Sequence, residues 1–300
     1  MSNHSSNKAV IISLIGNLSI ATLKVGGFLL TKSSAMLSEA VHSFADSGNQ
    51  VLLLIGAQRA KKKSDHRFNF GYSPQEFLFS FIVAIVLFSL GSLVSLYEGI
   101  EHIIHPESIH NIGIVLVLLF CAIAVEGYSL WEGLKHKPKK ESLYSYLKKT
   151  TDSTTAVVVI ENYAALVGLV ASFVCILLAY YIHPIFDGIG ATFTGVVLGC
   201  LSIFLAVELS HLITGESLSR ADTYRINLLI KKHCGGIEKI NYIYSRVNGN
   251  NEYIFIVSID PMDSDNGKDI EDISHKIKQL VLAKYPTSKV FVDFSKKELE

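Results

Sequence analysis

The stretch FLFSFIVAIVLFSLGSLVSLY, residues 77–97, decides the fold of this chain. It contains no Asp, Glu, Lys or Arg, and about 20 mostly apolar residues are enough for a helix to cross the hydrocarbon core of a bilayer. Three more runs without a charged side chain follow, at Ser108–Val125, Asn162–Phe186 and Gly188–Val207. The sequence therefore predicts an α-helical integral membrane protein, with these four runs as its clearest transmembrane helices.

Two less pure runs raise the predicted number of spans to six. Ala9–Leu30 is interrupted by Lys24, and Ser34–Ala60 contains two acidic residues and a histidine. Eleven Lys and Arg residues lie in the two loops at 59–74 and 135–151, whereas the opposed loops carry only Lys32. The excess of positive charge on cytoplasmic loops predicts that the N-terminus, both basic loops and the C-terminus lie in the cytoplasm.

Composition divides the chain into a transmembrane domain, residues 1–212, and a cytoplasmic domain, residues 213–300. The second part holds 13 of the 27 Lys and Arg residues in less than a third of the length. The net charge is zero, which gives no basic field to attract nucleic acid. The four cysteines are scattered without a C-x-x-C pair, so we expect neither a disulfide framework nor a cysteine zinc site.

The cytoplasmic part has the pattern of a small α+β domain. Apolar residues recur with helical spacing over Arg220–His233 and Lys268–Tyr285. Ile237–Val247 and Tyr253–Asp260 alternate like two strands around an Asn-Gly-Asn-Asn turn, and Lys289–Phe294 reads as a closing strand. The predicted order is α-β-β-α-β.

The second predicted span carries the chemistry. Its polar residues recur with the spacing of one helical face: Glu39, His42, Ser43, Asp46, Asn49 and Gln50. Ionisable residues inside a membrane span are costly and indicate function. His42 and Asp46 lie one turn apart, so both can reach one ion, and an imidazole with a carboxylate suits zinc better than calcium or magnesium. The alternative is a buried His–Asp hydrogen bond that joins two helices.

The fifth predicted span supplies a further acid. Glu161 and Asn162 lie at the head of an otherwise apolar run, and Glu161 is the only acid between Asp152 and Asp187. Because zinc takes about four ligands, Glu161 is the best candidate for a third. A protonated carboxyl that makes an interhelical hydrogen bond is the alternative.

At this point the chain resembles the cation diffusion facilitator family. The segment LSEAVHSFAD, residues 37–46, is similar to the family's second-span signature, and Phe70-Gly71-Tyr72 is similar to its motif before the third span. Asp187, at the start of the sixth span, also fits. The resemblance implies a homodimeric transporter in the lipid bilayer that exports zinc or a related divalent metal in exchange for protons by alternating access. It also implies a metallochaperone-like cytoplasmic dimerisation and regulatory domain.

One departure from the family concerns the fifth span. The resemblance implies a His and an Asp one turn apart there, but Val157 stands where the His belongs and Glu161 where the Asp belongs. The same absence resembles a branch whose eukaryotic members are linked to mitochondrial zinc. The ligands would then be His42, Asp46 and Glu161. A water molecule or another side chain would complete the set, with weaker candidates at Asn17, Glu39, Glu126 and Asn162.

A second departure concerns sites outside the spans. The last strand keeps only Asp293 of the His and Asp residues with which family members often bind regulatory metal. A surface role is the better interpretation of His233 and His275. Asp65 and His66 lie where some members carry a loop metal site, and they are weak candidates for one.

Alternatives remain open at this level. A non-transporting metal sensor or scaffold is favoured by the missing histidine, and manganese, iron or cobalt could be the main cargo in place of zinc. An intramembrane metallohydrolase is disfavoured because H-E-x-x-H is absent and no nucleophile–base pairing is evident. We therefore expect no enzymatic activity and no prosthetic group.

Overall fold

The computed structural model describes residues 11, 14–23, 25–26, 29, 34–106, 112–135, 150–264 and 266–296. Within these ranges it leaves out the side chains of residues 34–42, 44–46, 87 and 88. The described residues form helices along the first two thirds of the chain and a mixed α+β unit at its end.

Among its described residues, the helical part contains seven helices. They are α1 (Leu14–Leu23), α2 (Ser34–Ala60), α3 (Gln75–Val86), α4 (Leu93–Ile104), α5 (Ile112–Leu134), α6 (Ser153–Tyr181) and α7 (Ile185–Thr214). A π-helical segment, Leu87–Ser92, joins α3 to α4, so the two form one apolar rod from Gln75 to Ile104.

Four of the described helices are long and apolar enough to cross a membrane: Gln75–Ile104, Ile112–Leu134, Ser153–Tyr181 and Ile185–Thr214. They correspond to the four charge-free runs of the sequence, and the membrane-spanning class is confirmed. α2 has the predicted limits but is more polar, and α1 is short in the described residues. The total of six spans therefore stays a prediction.

The predicted limits of the fifth span were wrong. The helix begins at Ser153, where Asp152 caps it by accepting a hydrogen bond from the Thr155 backbone N–H at 3.0 Å. It ends at Tyr181, before Pro184, although the charge-free run continues to Phe186. The correction places Glu161 more than two turns inside the helix.

Helices α4 and α7 pack closely through small residues. A Cβ atom on Gly188 would lie 2.7 Å from the carbonyl oxygen of Gly99, and one on Gly195 would lie 2.9 Å from the backbone nitrogen of Leu96. The hydroxyl of Ser92 donates a hydrogen bond to the carbonyl of Gly195 at 2.8 Å. Such contacts stabilise helix pairs in lipid, where the hydrophobic effect does not drive helices together.

The C-terminal unit follows the predicted order. It contains α8 (Arg220–His233), β1 (Ile237–Gly249), β2 (Glu252–Pro261), α9 (Gly267–Lys284) and β3 (Lys289–Phe294). β1 pairs with β2 antiparallel, and β2 pairs with β3 parallel. Phe255, Val257 and Ile259 of β2 have no exposed surface and form a hydrophobic core with apolar side chains of both helices.

The loop between α2 and α3 belongs to the same compact unit as this domain. The chain separates into residues 1–63 with 75–210, and residues 64–74 with 211–300. Asn248 donates to the Phe70 carbonyl at 3.2 Å, and Ser73 donates to Glu252 at 2.7 Å. Lys289 donates to the Asn69 carbonyl at 3.1 Å. The loop is thus bonded to the sheet at several points.

Candidate metal centre

The polar face of α2 is buried wherever its side chains are described. Ser43, Asn49 and Gln50 are 5%, 3% and 0% exposed. Glu39, His42 and Asp46 lie in the same continuous helix, and their side chains are outside the described part of the chain. Asparagine, glutamine and serine side chains are mostly exposed in folded proteins. Their burial here shows that this face of α2 packs against the rest of the protein.

Glu161 meets this face of α2 directly. The residue is 5% exposed, and its Oε2 atom accepts a hydrogen bond from Nε2 of Gln50 at 2.6 Å. Asn162, the next residue, is 1% exposed. The structure therefore brings Glu161 into contact with α2, the helix that carries His42 and Asp46. The contact is made by Gln50, eight residues after His42.

Val157 lies one turn before Glu161 and has no exposed surface. The sequence left open whether this position faces lipid, and burial places it in the protein interior instead. The position at which the resemblance implies a histidine therefore holds a buried apolar side chain.

The weaker candidates in the membrane helices are also buried. Asn17 of α1 is 5% exposed and Glu126 of α5 is 7% exposed. A Cβ atom on Gly16 would lie 2.7 Å from Cγ1 of Val125, so the two helices touch beside these residues. They remain candidates for a fourth ligand.

Asp65 and His66 lie in the loop 64–74, which belongs to the other compact unit. The Asp65 carboxylate accepts hydrogen bonds from the backbone N–H groups of Arg67 and Phe68, at 3.0 and 2.9 Å, and from the Tyr72 hydroxyl at 2.7 Å. These bonds give Asp65 a role in shaping its own loop, and a loop metal site stays a prediction.

A second interhelical carboxylate contact was missed by the sequence reasoning. Glu76, in the first turn of α3, is 8% exposed and accepts a hydrogen bond from the Thr154 hydroxyl of α6 at 2.9 Å. Ser80 donates to Ser153 at 3.1 Å one turn further along. The sequence shows Glu76 directly before the charge-free run. The predicted span began at Phe77, so Glu76 was not considered as a buried residue.

Among the described side chains, no three His, Cys, Asp or Glu residues lie close enough together to hold a metal ion. This statement does not extend to Glu39, His42 and Asp46, whose side chains the structure leaves out. Of the three main predicted ligands, only Glu161 has a described side chain, and Gln50 contacts it. In this contact a neutral amide donates a hydrogen bond to a buried carboxylate.

Comparison with known proteins decides the family. The sequence model of the cation efflux transmembrane domain matches residues 10–213. The chain belongs to the cation efflux family. Members of this family are transporters rather than enzymes, and the resemblance to cation diffusion facilitators is confirmed.

Three relatives illustrate the range of the family. The proton-coupled zinc antiporter SLC30A9, mitochondrial, of Xenopus laevis is 29% identical over 75% of this chain and 41% of its own length. Metal tolerance protein C4 of Arabidopsis thaliana is 28% identical over 85% of this chain and 57% of its own. A cadmium, cobalt and zinc/H(+)-K(+) antiporter of Bacillus velezensis is 32% identical over 46% of this chain and 44% of its own.

This cation efflux protein therefore spans about half the length of the curated relatives it matches. The mitochondrial relatives agree with the branch suggested by the absence of the fifth-span histidine. Family membership and several apolar helices establish an integral membrane protein that crosses the bilayer more than once.

Proposed function

We propose that this cation efflux protein carries zinc, or a related divalent metal, out of the cytoplasm in exchange for protons. The observation that carries the proposal is the Glu161 carboxylate, which is buried inside α6 and hydrogen-bonded to α2. A carboxylate buried in a membrane helix is expensive and marks an ion pathway in transporters. The relatives named as zinc and cadmium antiporters support the same class of cargo.

The proposed ligands are His42, Asp46 and Glu161, with the metal ion as substrate. A nitrogen and carboxylate oxygens are a ligand set that zinc accepts, and a water molecule or a buried polar group would complete four-fold coordination. Asn17, Glu39, Glu126 and Asn162 are candidates for that place. Manganese, iron and cobalt accept the same ligand types, so the proposal leaves the choice of metal to experiment.

Proton coupling follows from the chemistry of the ligands. Metal binding requires a neutral imidazole and ionised carboxylates, so a metal ion and protons compete for the same groups. An ordinary histidine titrates near pH 6.5, close to the pH on either side of a cell membrane. A site that opens alternately to the two sides would load metal where protons are scarce and release it where they are abundant.

Orientation and assembly belong to the same proposal. The excess of Lys and Arg in the two basic loops supports a cytoplasmic location for both termini and residues 213–300, which labelling of single cysteines from each side would test. A homodimer is supported by an apolar row across the sheet. Tyr244, Ile256 and Phe291 are paired in register and are 58%, 40% and 48% exposed. Light scattering of the detergent-solubilised protein measures the assembly.

The test is zinc flux into liposomes that contain the purified protein. Wild-type protein should move zinc when a pH gradient is imposed, and flux should fall when the gradient is collapsed. Asp46→Ala and Glu161→Gln should reduce flux at least 100-fold. Glu101→Gln, which alters an exposed carboxylate at the end of α4, is the matched control and should transport normally.

A wild-type protein that binds zinc without moving it would support the alternative of a membrane metal sensor. Normal flux in Asp46→Ala would show that the second span does not hold the cargo.

A further inference from the structure

Gln50 is a polar side chain with no exposed surface in the middle of α2. The amino group of its carboxamide has a hydrogen-bond partner, because Nε2 donates to Oε2 of Glu161 at 2.6 Å. The carboxamide oxygen, Oε1, is buried and has no hydrogen-bond partner among the described residues. Buried amide oxygens are nearly always bonded in folded proteins, so an orphan at this place calls for a ligand.

The position of Gln50 on the helix relates it to the predicted metal site. It lies four residues after Asp46 and eight after His42 in one continuous helix. At about 1.5 Å of rise per residue, Gln50 is about 6 Å beyond Asp46 along the axis. Residues four apart lie on the same face of a helix, so Gln50 extends the row of His42 and Asp46 by one turn and ends it at Glu161.

The chemistry of a carboxamide fits both contacts at once. An N–H group can hold an ionised carboxylate without adding a positive charge that would repel a divalent cation, as a lysine would. An amide oxygen is a neutral ligand for divalent cations, of the kind that asparagine and glutamine side chains supply. Both atoms sit on one planar group, so the amide that orients Glu161 also presents an oxygen beside it.

We propose that Gln50 completes the cargo site: its N–H orients the Glu161 carboxylate, and its Oε1 supplies a neutral oxygen to the bound metal ion. The proposal rests on the proposed function, which it extends by a residue of α2. It gives the site an oxygen from α2, in a chain that has Val157 where the resemblance implies a fifth-span histidine. Four protein ligands, His42, Asp46, Gln50 and Glu161, then satisfy the usual coordination of zinc.

The test is equilibrium zinc binding to the purified full chain in detergent, measured by isothermal titration calorimetry. Gln50→Met keeps the length and apolar volume of the side chain and removes both polar atoms. It should weaken zinc binding about tenfold, which corresponds to about 1.4 kcal/mol. Gln50→Ala is a second variant, and Gln58→Met changes an exposed glutamine two turns further along α2 as the matched control.

A double-mutant cycle separates positioning from a merely structural role. Because the amide acts partly through the carboxylate, Gln50→Met combined with Glu161→Ala should weaken binding by clearly less than the product of the two single effects. Independent, multiplicative losses would overturn the positioning role.

The outcomes also distinguish this inference from the proposed function. Wild-type affinity in both Gln50 variants, with binding lost in Asp46→Ala, would overturn the role of Gln50 and leave the transporter proposal standing. Absence of binding of zinc, manganese, iron and cobalt alike in the wild-type protein would contradict both.

Discussion

The helices of the membrane unit and the C-terminal domain bury different kinds of side chain. In the membrane unit, buried polar groups bond to each other between helices, as Gln50 does to Glu161 and Thr154 to Glu76. In the C-terminal domain, the core is a cluster of apolar side chains that includes Phe255 and Ile277. The C-terminal domain also buries a few polar side chains, such as Ser258, but the buried carboxylates of the described residues all lie in the membrane unit.

The difference teaches where function resides. Apolar burial stabilises a domain at about 25 cal/mol per Å², and the C-terminal domain uses it as any soluble domain does. Polar burial in a membrane helix gives little net stability, since measured interhelical hydrogen bonds average about 0.6 kcal/mol. The proposed function accounts for the buried Gln50 of α2 and Glu161 of α6 as groups that hold the transported cation.

The largest expected effect is on the stability of the C-terminal domain. Phe255→Ala removes a fully buried ring and should destabilise this domain by about 3–5 kcal/mol. Hydrogen exchange of the full chain, read by mass spectrometry, should show lost protection in β1, β2 and α9. Phe294→Ala, at a ring that is 38% exposed, is the matched control and should cost less than half as much. Equal losses of stability in Phe255→Ala and Phe294→Ala would contradict the assignment of Phe255 to the core and Phe294 to the surface.

The second prediction concerns metal selectivity. Val157→His restores a nitrogen one turn before Glu161, inside the protein. Because imidazole favours zinc over manganese, the ratio of zinc to manganese transport should rise about tenfold, and uptake should depend more steeply on pH. Competition between the two metals in liposomes measures the ratio.

Packing is the competing effect at this position, since a larger side chain in a filled interior typically costs about 1–3 kcal/mol. Val157→Leu enlarges the side chain without a nitrogen and serves as the control. An unchanged zinc-to-manganese ratio in a folded and active Val157→His protein would show that position 157 does not reach the metal.

A smaller effect is expected at the second interhelical carboxylate. Thr154→Val removes the hydroxyl that donates to Glu76 and should lower stability by about 1 kcal/mol, within the range of such bonds in membrane proteins. Thermal unfolding in detergent measures the loss. Thr22→Val is the control, because the Thr22 hydroxyl is exposed and bonds within its own helix, to the Leu18 carbonyl at 2.8 Å. A loss as large as that in Phe255→Ala would contradict the comparison of the two regions.

The smallest effect is electrostatic and lies on the surface of the C-terminal domain. The hydrogen bond from Lys284 and a second from Ser219 lower the pKa of Asp222 below its ordinary 3.8. A lowered folded-state pKa adds stability that is present above the ordinary value and disappears as the pH falls through the lowered one. Because the pair is partly exposed, its contribution should stay below about 1 kcal/mol.

Asp222→Asn should therefore be slightly less stable than wild type at neutral pH, and the difference should shrink as the pH falls from 5 to 3. Hydrogen exchange of α8 and α9 in the full chain follows it. Asp272→Asn, at an exposed acid of α9, is the control. If the stability difference between Asp222→Asn and wild type grew at low pH, the pKa of Asp222 would have to be raised by folding, which would contradict this prediction.

The sequence predicted the C-terminal domain closely. Arg220–His233 and Lys289–Phe294 were predicted to the residue, and the other elements differ by one or two residues at their ends. Helical and strand periods are both visible in an amphipathic domain, and the Asn-Gly turn fixes where the hairpin reverses.

The membrane helices were predicted less exactly, for a physical reason. Absence of charge shows that a segment can enter lipid but does not show where the helix begins. α6 therefore starts nine residues before the predicted span, in a Ser-Thr-Thr segment that Asp152 caps. The π-helical segment Leu87–Ser92 has no signal in hydropathy at all.

At the candidate site, residue type and spacing were enough to select His42, Asp46 and Glu161. They could not show that Gln50 meets Glu161, because that contact depends on which helices are neighbours and how far each is rotated. A single sequence carries little information on either point.

The most direct test of the cargo site is a zinc-edge anomalous difference map from crystals of the full chain grown with zinc. One strong peak is expected in each protomer between α2 and α6, about 2.0–2.2 Å from ligand atoms of His42, Asp46 and Glu161. The peak should vanish in Asp46→Ala crystals. Peaks only at the loop 64–74 or at Asp293, with none between the two helices, would contradict the assignment of these residues to the transported metal.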